Sequence, residues 1–432
     1  MIESNKGSIL IDRVIDWLMD QALRDADLET IVRGVCERLH SAGMPICRVS
    51  LSFSVLHPLY RAMGFTWRRG KGLEIEGYRH LDEAKDEDRF LKSPYYHLLK
   101  HELDHLRRRL DNDGPVEFPI FEDLRAEGVT DYLAFAVSFH EGRRFGMMGS
   151  WSTDQKGGFS EAELRSLLRV QGRFAVACKM AVREALTHNI LATYLGRNAG
   201  GRVLDGQIKR GDGETTRAAI VFGDLRDSTQ LADACGRQNY IDTLNDFFDA
   251  TGGAIIDAGG EVLSFIGDGF IGIFPCDRNK KDSTIACRKA LGAAHDMIGR
   301  VAELNDERVK DGHDPLRYGV ALHIGNVMFG NVGMADRMTF SIFGSSVNEA
   351  ARIEKLTRDL HTTVLASKSF RDYAGGAWNS QGKQVLAGIE QPVELFAPKG
   401  QARAVKTAAE WRRKMQDWSD AENVVLLHRD GR

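Results

Sequence analysis

Between Leu10 and Gly43, apolar residues recur at three- and four-residue steps. Ile11, Val14, Ile15 and Leu18 make one stripe; Leu28, Ile31, Val32, Val35 and Leu39 make a second. Each set falls on one side of a helix, so the spacing predicts two amphipathic helices. From Ile46 to Leu56 the period drops to two, with Val49, Leu51, Phe53 and Val55 on one side, which predicts a half-buried strand. Phe65 to Tyr78 supplies further strand segments broken by glycines. Tyr132 to Phe139 and Phe145 to Trp151 flank Glu141-Gly142 as the arms of a hairpin.

Ser160-Glu-Ala-Glu163 has the form of a capping box and opens a long helical run. Within it Leu164, Leu168, Gln171, Ala175, Cys178, Val182 and Ala185 fall at alternating steps of four and three. That seam fits a helix paired with a partner helix, and equally a helix packed on its own domain. Tyr194 to Gly213, with Gly196, Gly200, Gly201, Gly206, Gly211 and Gly213, reads as a glycine-rich connector.

From Arg217 on, strand and helix patterns alternate. The apolar run Ala218 to Phe222 ends at Gly223-Asp224. A helix over Tyr240 to Asp257 is expected to bury Ile241, Leu244, Phe248 and Ile255 before Gly259-Gly260 ends it. Glu261 to Phe265 leads into a Gly267-Asp268-Gly269 hairpin, Ser283 to Leu304 reads as a helix, and Leu316 to Ile324 alternates as a strand. Polar residues dominate after Pro398, with Trp411 and Trp418 in a short helical stretch.

At 432 residues the chain has length for two or three domains. Its 58 basic and 61 acidic residues nearly cancel, which removes the whole-chain electrostatic case for nucleic acid or anionic lipid. Six scattered cysteines without a Cys-x-x-Cys pair argue against a disulfide framework or structural zinc and fit a reducing compartment. Met-Ile-Glu-Ser-Asn-Lys-Gly lacks the basic start and apolar core of a signal peptide, and five basic residues interrupt Leu164 to Ala185. A soluble, cytoplasmic protein with no membrane partner is expected.

The chemistry centres on Asp224 and Asp268. Each follows an apolar, strand-like run and sits beside glycine, where the backbone can turn sharply. A strand-ending Asp is also an ordinary turn former. Two such acids nevertheless suit Mg²⁺ or Mn²⁺, which bind through one or two carboxylates and complete their shell with water and phosphate oxygens. His101-Glu-Leu-Asp-His105 matches a zinc-hydrolase spacing and His97 extends it one turn back, but a charged, solvated helix explains the stripe without metal. His57, before Pro58, is read as structural.

A third segment, Phe340-Ser-Ile-Phe-Gly344-Ser-Ser-Val347-Asn348-Glu-Ala-Ala-Arg352-Ile-Glu354, completes a pattern. With Phe222-Gly-Asp-Leu-Arg226 and the Gly-Asp-Gly hairpin, it resembles the catalytic domain of class III nucleotidyl cyclases over about Arg217 to Pro398. The resemblance implies a ferredoxin-like α/β sandwich and closure of a nucleoside triphosphate to its 3′,5′-cyclic monophosphate with loss of pyrophosphate. Asp224, the Leu225 carbonyl and Asp268 would hold two metal ions per site. Amides around Asp227, Ser228 and Thr229 would hold the outer phosphates, Asn348 would orient the ribose, and Arg352 would stabilise the transition state. Arg337 lies where the family often has a triphosphate-binding arginine. In homodimeric members the acids come from one subunit and the Asn and Arg from the other, so a twofold homodimer is expected.

Base recognition departs from the adenylate cyclase pattern. Ser264 stands where a Lys commonly reads adenine, and Ser341 where its Asp or Thr partner stands. Ala387 replaces a further phosphate-contacting Lys before Gly388, with Lys383 near but out of register. Guanylate cyclases usually place Glu and Cys at the two base positions, and neither is present. ATP is the expected substrate; GTP, a relaxed purine specificity, or a catalytically lapsed nucleotide-binding module are the alternatives. The first third loosely resembles a GAF domain in layout, which implies a sensor for a small-molecule ligand. The expected organisation is α+β and multidomain: a GAF-like sensory domain over 1–158, a helical linker and transducer over 159–213, the cyclase domain over 214–400 and a tail over 401–432.

Overall fold

The structure, a computed structural model, describes residues 2–24, 26–55, 60–79, 88–112, 116–139, 146–334, 336–387 and 391–399. His57, the Glu141-Gly142 turn, Gly388 and the tail lie outside the described residues. The chain divides into two compact units, one running to Ile190 and one from Leu191.

The first unit opens with two helices, α1 (Ile2–Leu23) and α2 (Leu28–Ser41). Asp27 caps α2 by accepting from the Thr30 N–H at 2.7 Å. Six antiparallel strands follow: β1 (Arg48–Ser54), β2 (Tyr60–Arg68), β3 (Gly72–Arg79), β4 (His105–Arg109), β5 (Asp131–Ser138) and β6 (Gly146–Thr153). They form one sheet in the order β3-β2-β1-β6-β5-β4. The short helices α3 (Pro94–Lys100) and α4 (Ile120–Ala126) lie between β3 and β5 in the chain. The long α5 (Glu161–Leu195) closes the unit.

Period-two patterning sorts the sheet. Val49, Leu51 and Phe53 of β1, Phe65 and Trp67 of β2, and Trp151 of β6 join the stripes of α1 and α2 in one core. Both stripes read from the sequence are therefore inward faces, with only Ile15 partly buried. A smaller cluster, including Leu98, Phe118, Phe121 and Tyr132, gathers α3, α4 and β5. Asp131 is fully buried at the start of β5, where it accepts from Arg107 at 2.7 Å and from the Phe159 N–H at 3.0 Å. This ion pair pins β4 and β5 to the residues that lead into α5.

One expectation fails here, one open choice is decided, and one segment gains an element. The histidine stripe is not one helix: α3 ends at Lys100, Glu102 takes a left-handed φ of 52°, and His105 begins β4. Only His97 and His101 remain neighbours, with ring centroids 4.4 Å apart. The seam of α5 belongs largely to its own domain, since Leu164, Ala175, Cys178 and Ala185 are buried in the core while Leu168 is exposed. The supposed connector also contains a helix, α6 (Arg197–Leu204). Its Gly200 approaches Leu191 so closely that a Cβ would sit 2.9 Å from the Leu191 carbonyl carbon, so this glycine serves packing rather than flexibility.

The second unit is an eight-stranded sheet with helices on both faces. Its elements are β7 (Gly213–Leu225), α7 (Ser228–Cys235), α8 (Arg237–Asp257), β8 (Glu261–Ile266), β9 (Gly269–Cys276), α9 (Lys280–Lys310), β10 (Tyr318–Met334), β11 (Arg337–Phe343), α10 (Ser345–Asp359), β12 (Val364–Ser367), α11 (Lys368–Ala374), β13 (Trp378–Gln384) and β14 (Val393–Pro398). The strand order is β13-β14-β12-β10-β7-β9-β8, with β11 paired to β10.

Central β7 is buried on both sides. Ala219 and Val221 face α8 and α9, while Ala218 and Ile220 join Val347 and Ala350 of α10. Three expectations shift. The helix expected over Tyr240 to Asp257 starts at Arg237 and leaves Ile241 exposed, because Thr243, Phe247, Ala250 and Thr251 form its inward face. The helix expected over Ser283 to Leu304 runs from Lys280 to Lys310. The strand expected to stop at Ile324 continues to Met334, its second half paired with β11 and with β7 down to Gly213. Among the described residues no helix is long and apolar enough to cross a membrane.

Candidate active site

Asp224 is the penultimate residue of β7, opposite Gly269 on β9 and Gly319 on β10. Asp268 sits in the turn between β8 and β9, after Gly267 with φ of 63°. The Leu225 N–H donates to the Asp268 carbonyl oxygen at 3.2 Å, so the two acid-bearing turns are tied by backbone. The pairing gives Asp224, Leu225 and Asp268 one neighbourhood. Burial pushes the Asp224 carboxyl up to about 6, and the Asp268 charge adds to the rise, while Lys355 and Arg358 oppose it. A half-buried carboxyl beside a second acid is a site that a hard cation relieves.

Beneath this pair lies a polar group that the sequence did not single out. Glu354 and Thr357 are buried on α10, and a Cβ on Gly319 would stand 2.3 Å from Glu354 Oε1 and 2.2 Å from Thr357 Oγ1. Burial pushes Glu354 up to about 7, with Asp224 contributing. Arg226 donates through Nη2 to Thr357 Oγ1 at 2.9 Å and to the Thr362 carbonyl at 3.0 Å. A signal existed: Glu354 and Thr357 continue the inward side of the helix set by Val347, Ala350 and Ile353.

Asp227 has a left-handed φ of 58° and gives α7 no side-chain cap. Its carboxylate is instead ion-paired with Arg317 at 2.6 Å and Arg358 at 3.5 Å. The first amides of α7, including Ser228 and Thr229, therefore have no side-chain acceptor from Asp227. Ser264 is half-buried on edge strand β8 beside a bulge, its hydroxyl 3.3 Å from the Phe265 carbonyl. Ser341 of β11 pairs with Gly330 of β10, and Arg337 is exposed where β11 begins.

Asn348 and Arg352 are not brought to the acids within the chain. Asn348 is exposed and Arg352 half-buried on the side of α10 opposite Val347, Ala350, Ile353 and Glu354. No hydrogen bond or ion pair joins either to Asp224 or Asp268 among the described residues.

Among the described residues no group of three or more His, Cys, Asp or Glu side chains is placed to hold a metal ion. The zinc-hydrolase reading of His97, His101 and His105 therefore lacks its ligand set. Two carboxylates with a neighbouring backbone carbonyl fit Mg²⁺ or Mn²⁺, which take the rest of their shell from water and phosphate.

Residues 212–371 match the family described as the adenylate and guanylate cyclase catalytic domain. An adenylate cyclase of Anabaena cylindrica is 33% identical over 166 residues, covering 38% of this chain and 32% of that protein. An uncharacterized protein of Mycobacterium tuberculosis is 30% identical over 253 residues, covering 56% of this chain and 43% of that protein. The chain thus spans less than half the length of these relatives. Among solved structures, a guanylyl cyclase aligns over 44% of this chain and 96% of its own, at 25% identity and a TM-score of 0.38.

Proposed function

We propose, from the match of residues 212–371 to the adenylate and guanylate cyclase catalytic domain, that the chain is a class III adenylate cyclase acting as a twofold homodimer under control of its first unit. The carrying observation is the backbone tie between the turns of Asp224 and Asp268, with the Asp224 carboxyl raised beside its neighbour.

In this reading Asp224, Asp268 and the Leu225 carbonyl hold Mg²⁺ or Mn²⁺, two ions per site. Bound there, the metal lowers the pKa of the ribose 3′-hydroxyl and offsets triphosphate charge. The hydroxyl oxygen bonds to the α-phosphorus, the bond to the β-phosphate bridging oxygen breaks, and the hydroxyl proton leaves to solvent. The uncapped amides at Asp227, Ser228 and Thr229 hold the β- and γ-phosphates, and Arg337 adds a guanidinium. Asn348 orients the ribose and Arg352 meets the charge on the phosphoryl oxygens. Since both lie on the outward face of α10, they serve the acids of a second copy, and each site is shared between protomers. The apolar surface that such a dimer can cover includes Phe265, Ile266, Met328, Val332 and Met338, all exposed on β8, β10 and β11.

A second reading, a guanylate or relaxed purine cyclase, is favoured by Ser264 and Ser341. Hydroxyls donate and accept, so they accommodate either purine edge. The first unit, a six-stranded antiparallel sheet backed by α1, α2 and α5, supports a GAF-like sensor for a small molecule. All six cysteines are free thiols, which suits a cytoplasmic protein. The test is to incubate purified protein with ATP or GTP and Mn²⁺ and to assay cyclic product, with Asp224→Ala as control. Cyclic AMP from the wild type and none from Asp224→Ala supports the proposal; cyclic GMP from the wild type in its place supports the second reading. Product from neither nucleotide leaves a lapsed nucleotide-binding module.

A further inference from the structure

Behind the strand end that carries Asp224 lies a cavity of about 250 Å³. Its apolar wall is Ile298, Val301 and Ala302 of α9 with Leu316 and Tyr318, and its polar lining is Arg226, Arg317, Asn305 and Thr363. The lining holds two guanidinium groups and no carboxylate. Asn305 is used up structurally, donating to the Leu316 carbonyl at 3.0 Å and accepting from the Leu316 N–H at 2.6 Å, so it fixes that wall in place.

Arg226 differs. Its Nη2 is held by Thr357 and Thr362, yet its Nε is buried and has no hydrogen-bond partner. Both Nη2 acceptors are neutral, so Arg226 keeps its positive charge at the cavity wall. Arg317 already pairs with Asp227, but its side chain is 69% exposed and can share its guanidinium with a second anion.

We propose that this cavity is a binding site for a small organic carboxylate with a short apolar body. The carboxylate pairs with the exposed Arg317 guanidinium, the Arg226 guanidinium adds its charge at the same wall, and the apolar body lies against Ile298, Val301, Leu316 and Tyr318. A bare inorganic anion would leave the apolar wall uncovered, and a neutral alcohol would leave the guanidinium unanswered. Tyr318 pairs directly with Leu225, and the Arg226 N–H donates to the Arg317 carbonyl at 2.7 Å. The occupant therefore touches the two residues that frame the strand end of Asp224, which makes the cavity a place from which a metabolite can tune the metal site. The binding claim does not depend on the cyclase reading.

The test uses the full chain, hexanoate or benzoate as probe, and thermal shift with isothermal titration as readouts. Hexanoate is expected to bind with Kd on the order of 1 mM, as suits so few atoms. It should raise the melting temperature, while hexanol and inorganic phosphate should each act at least ~10-fold more weakly. Ala302→Phe, which fills the cavity while keeping both arginines in the chain, and Arg317→Gln should each weaken hexanoate at least ~10-fold. No binding at about 10 times that concentration, equal binding of hexanol, or unchanged binding in Ala302→Phe would overturn the proposal.

Discussion

Gly269 stands opposite Asp224 across the β7–β9 pairing, and a Cβ there would lie 2.8 Å from Asp224 Oδ1 and 2.9 Å from the Gly223 carbonyl oxygen. Neither neighbour can yield cheaply, because one is the proposed metal ligand and the other is strand backbone. Gly269→Ala is therefore expected to move the Asp224 carboxylate and to strain the β7–β9 pairing locally. A displacement of about 1 Å at a reacting centre costs about 10²-fold in rate. We expect Mn²⁺-supported turnover to fall by about that factor, with far-ultraviolet circular dichroism unchanged; full turnover would contradict the placement of Asp224 at the site.

The raised Asp224 pKa fixes a sign. Its folded value of about 6 lies above the ordinary 3.8, so the folded state holds this proton more tightly than the unfolded one. Stability from this group is thus lost as pH rises from about 4 to 6 and stays lost above. Asp224→Asn should stabilise the metal-free protein above pH 6, by on the order of 1 kcal/mol after solvent screening of a half-exposed group, and change little below pH 4. Mn²⁺ should reverse the ranking. It should raise the wild-type melting temperature more at pH 7.5 than at pH 5 and leave Asp224→Asn nearly unmoved. Thermal melts with and without Mn²⁺ at the two pH values check both halves.

The legible part of this site was the part with local signatures. Apolar runs ending in glycine and Asp mark strand ends whatever the tertiary context, and Asp224 and Asp268 lie where those runs place them. Periodicity marks Glu354 as inward-facing but not as part of the site, because its place there comes from Gly319, a neighbour 35 positions earlier on another strand. On α8 Ile255 is buried and Leu244 and Phe248 pack against the core as expected, but Ile241 points outward, and Thr243, Ala250 and Thr251 carry too little hydrophobic signal to mark the rest of the inward face. His105 was misassigned for a different reason: pairing of β4 with β5 overrides the local helical pattern once Glu102 turns left-handed.

His323 carries the opposite sign from Asp224. It is buried on β10, its Nδ1 2.9 Å from Ser367 Oγ and its Nε2 3.7 Å from Glu349 Oε2. Burial first, and the charge of Arg217 second, push its pKa down to about 4. Between pH 6.5 and 4 the unfolded chain takes up a proton here that the folded protein refuses, so stability falls as pH falls through that window. At pH 5 this amounts to about 2 kcal/mol. His323→Gln should show a smaller loss of denaturation midpoint between pH 7 and pH 5 than wild type; an equal loss would place the acid sensitivity elsewhere. The comparison with the variant matters because Asp224 and Glu354, both raised, act in the other direction over part of the same range.

The outward placement of Asn348 and Arg352 leads to the most discriminating expectation. Asp224→Ala and Arg352→Ala should each abolish turnover alone, since every site of either homodimer lacks one essential group. If the two variants are mixed and allowed to exchange protomers, about half of the dimers pair one copy of each. Such a dimer has one site lacking both groups and one site built from the intact Asp224 of one protomer and the intact Arg352 of the other. Turnover should then recover to about a quarter of wild type. A site contained within one chain predicts no recovery at any mixing ratio, because neither variant carries both residues. Size-exclusion chromatography of each variant separates this outcome from simple failure to dimerise, so silence from a mixture shown to exchange would count against a shared site.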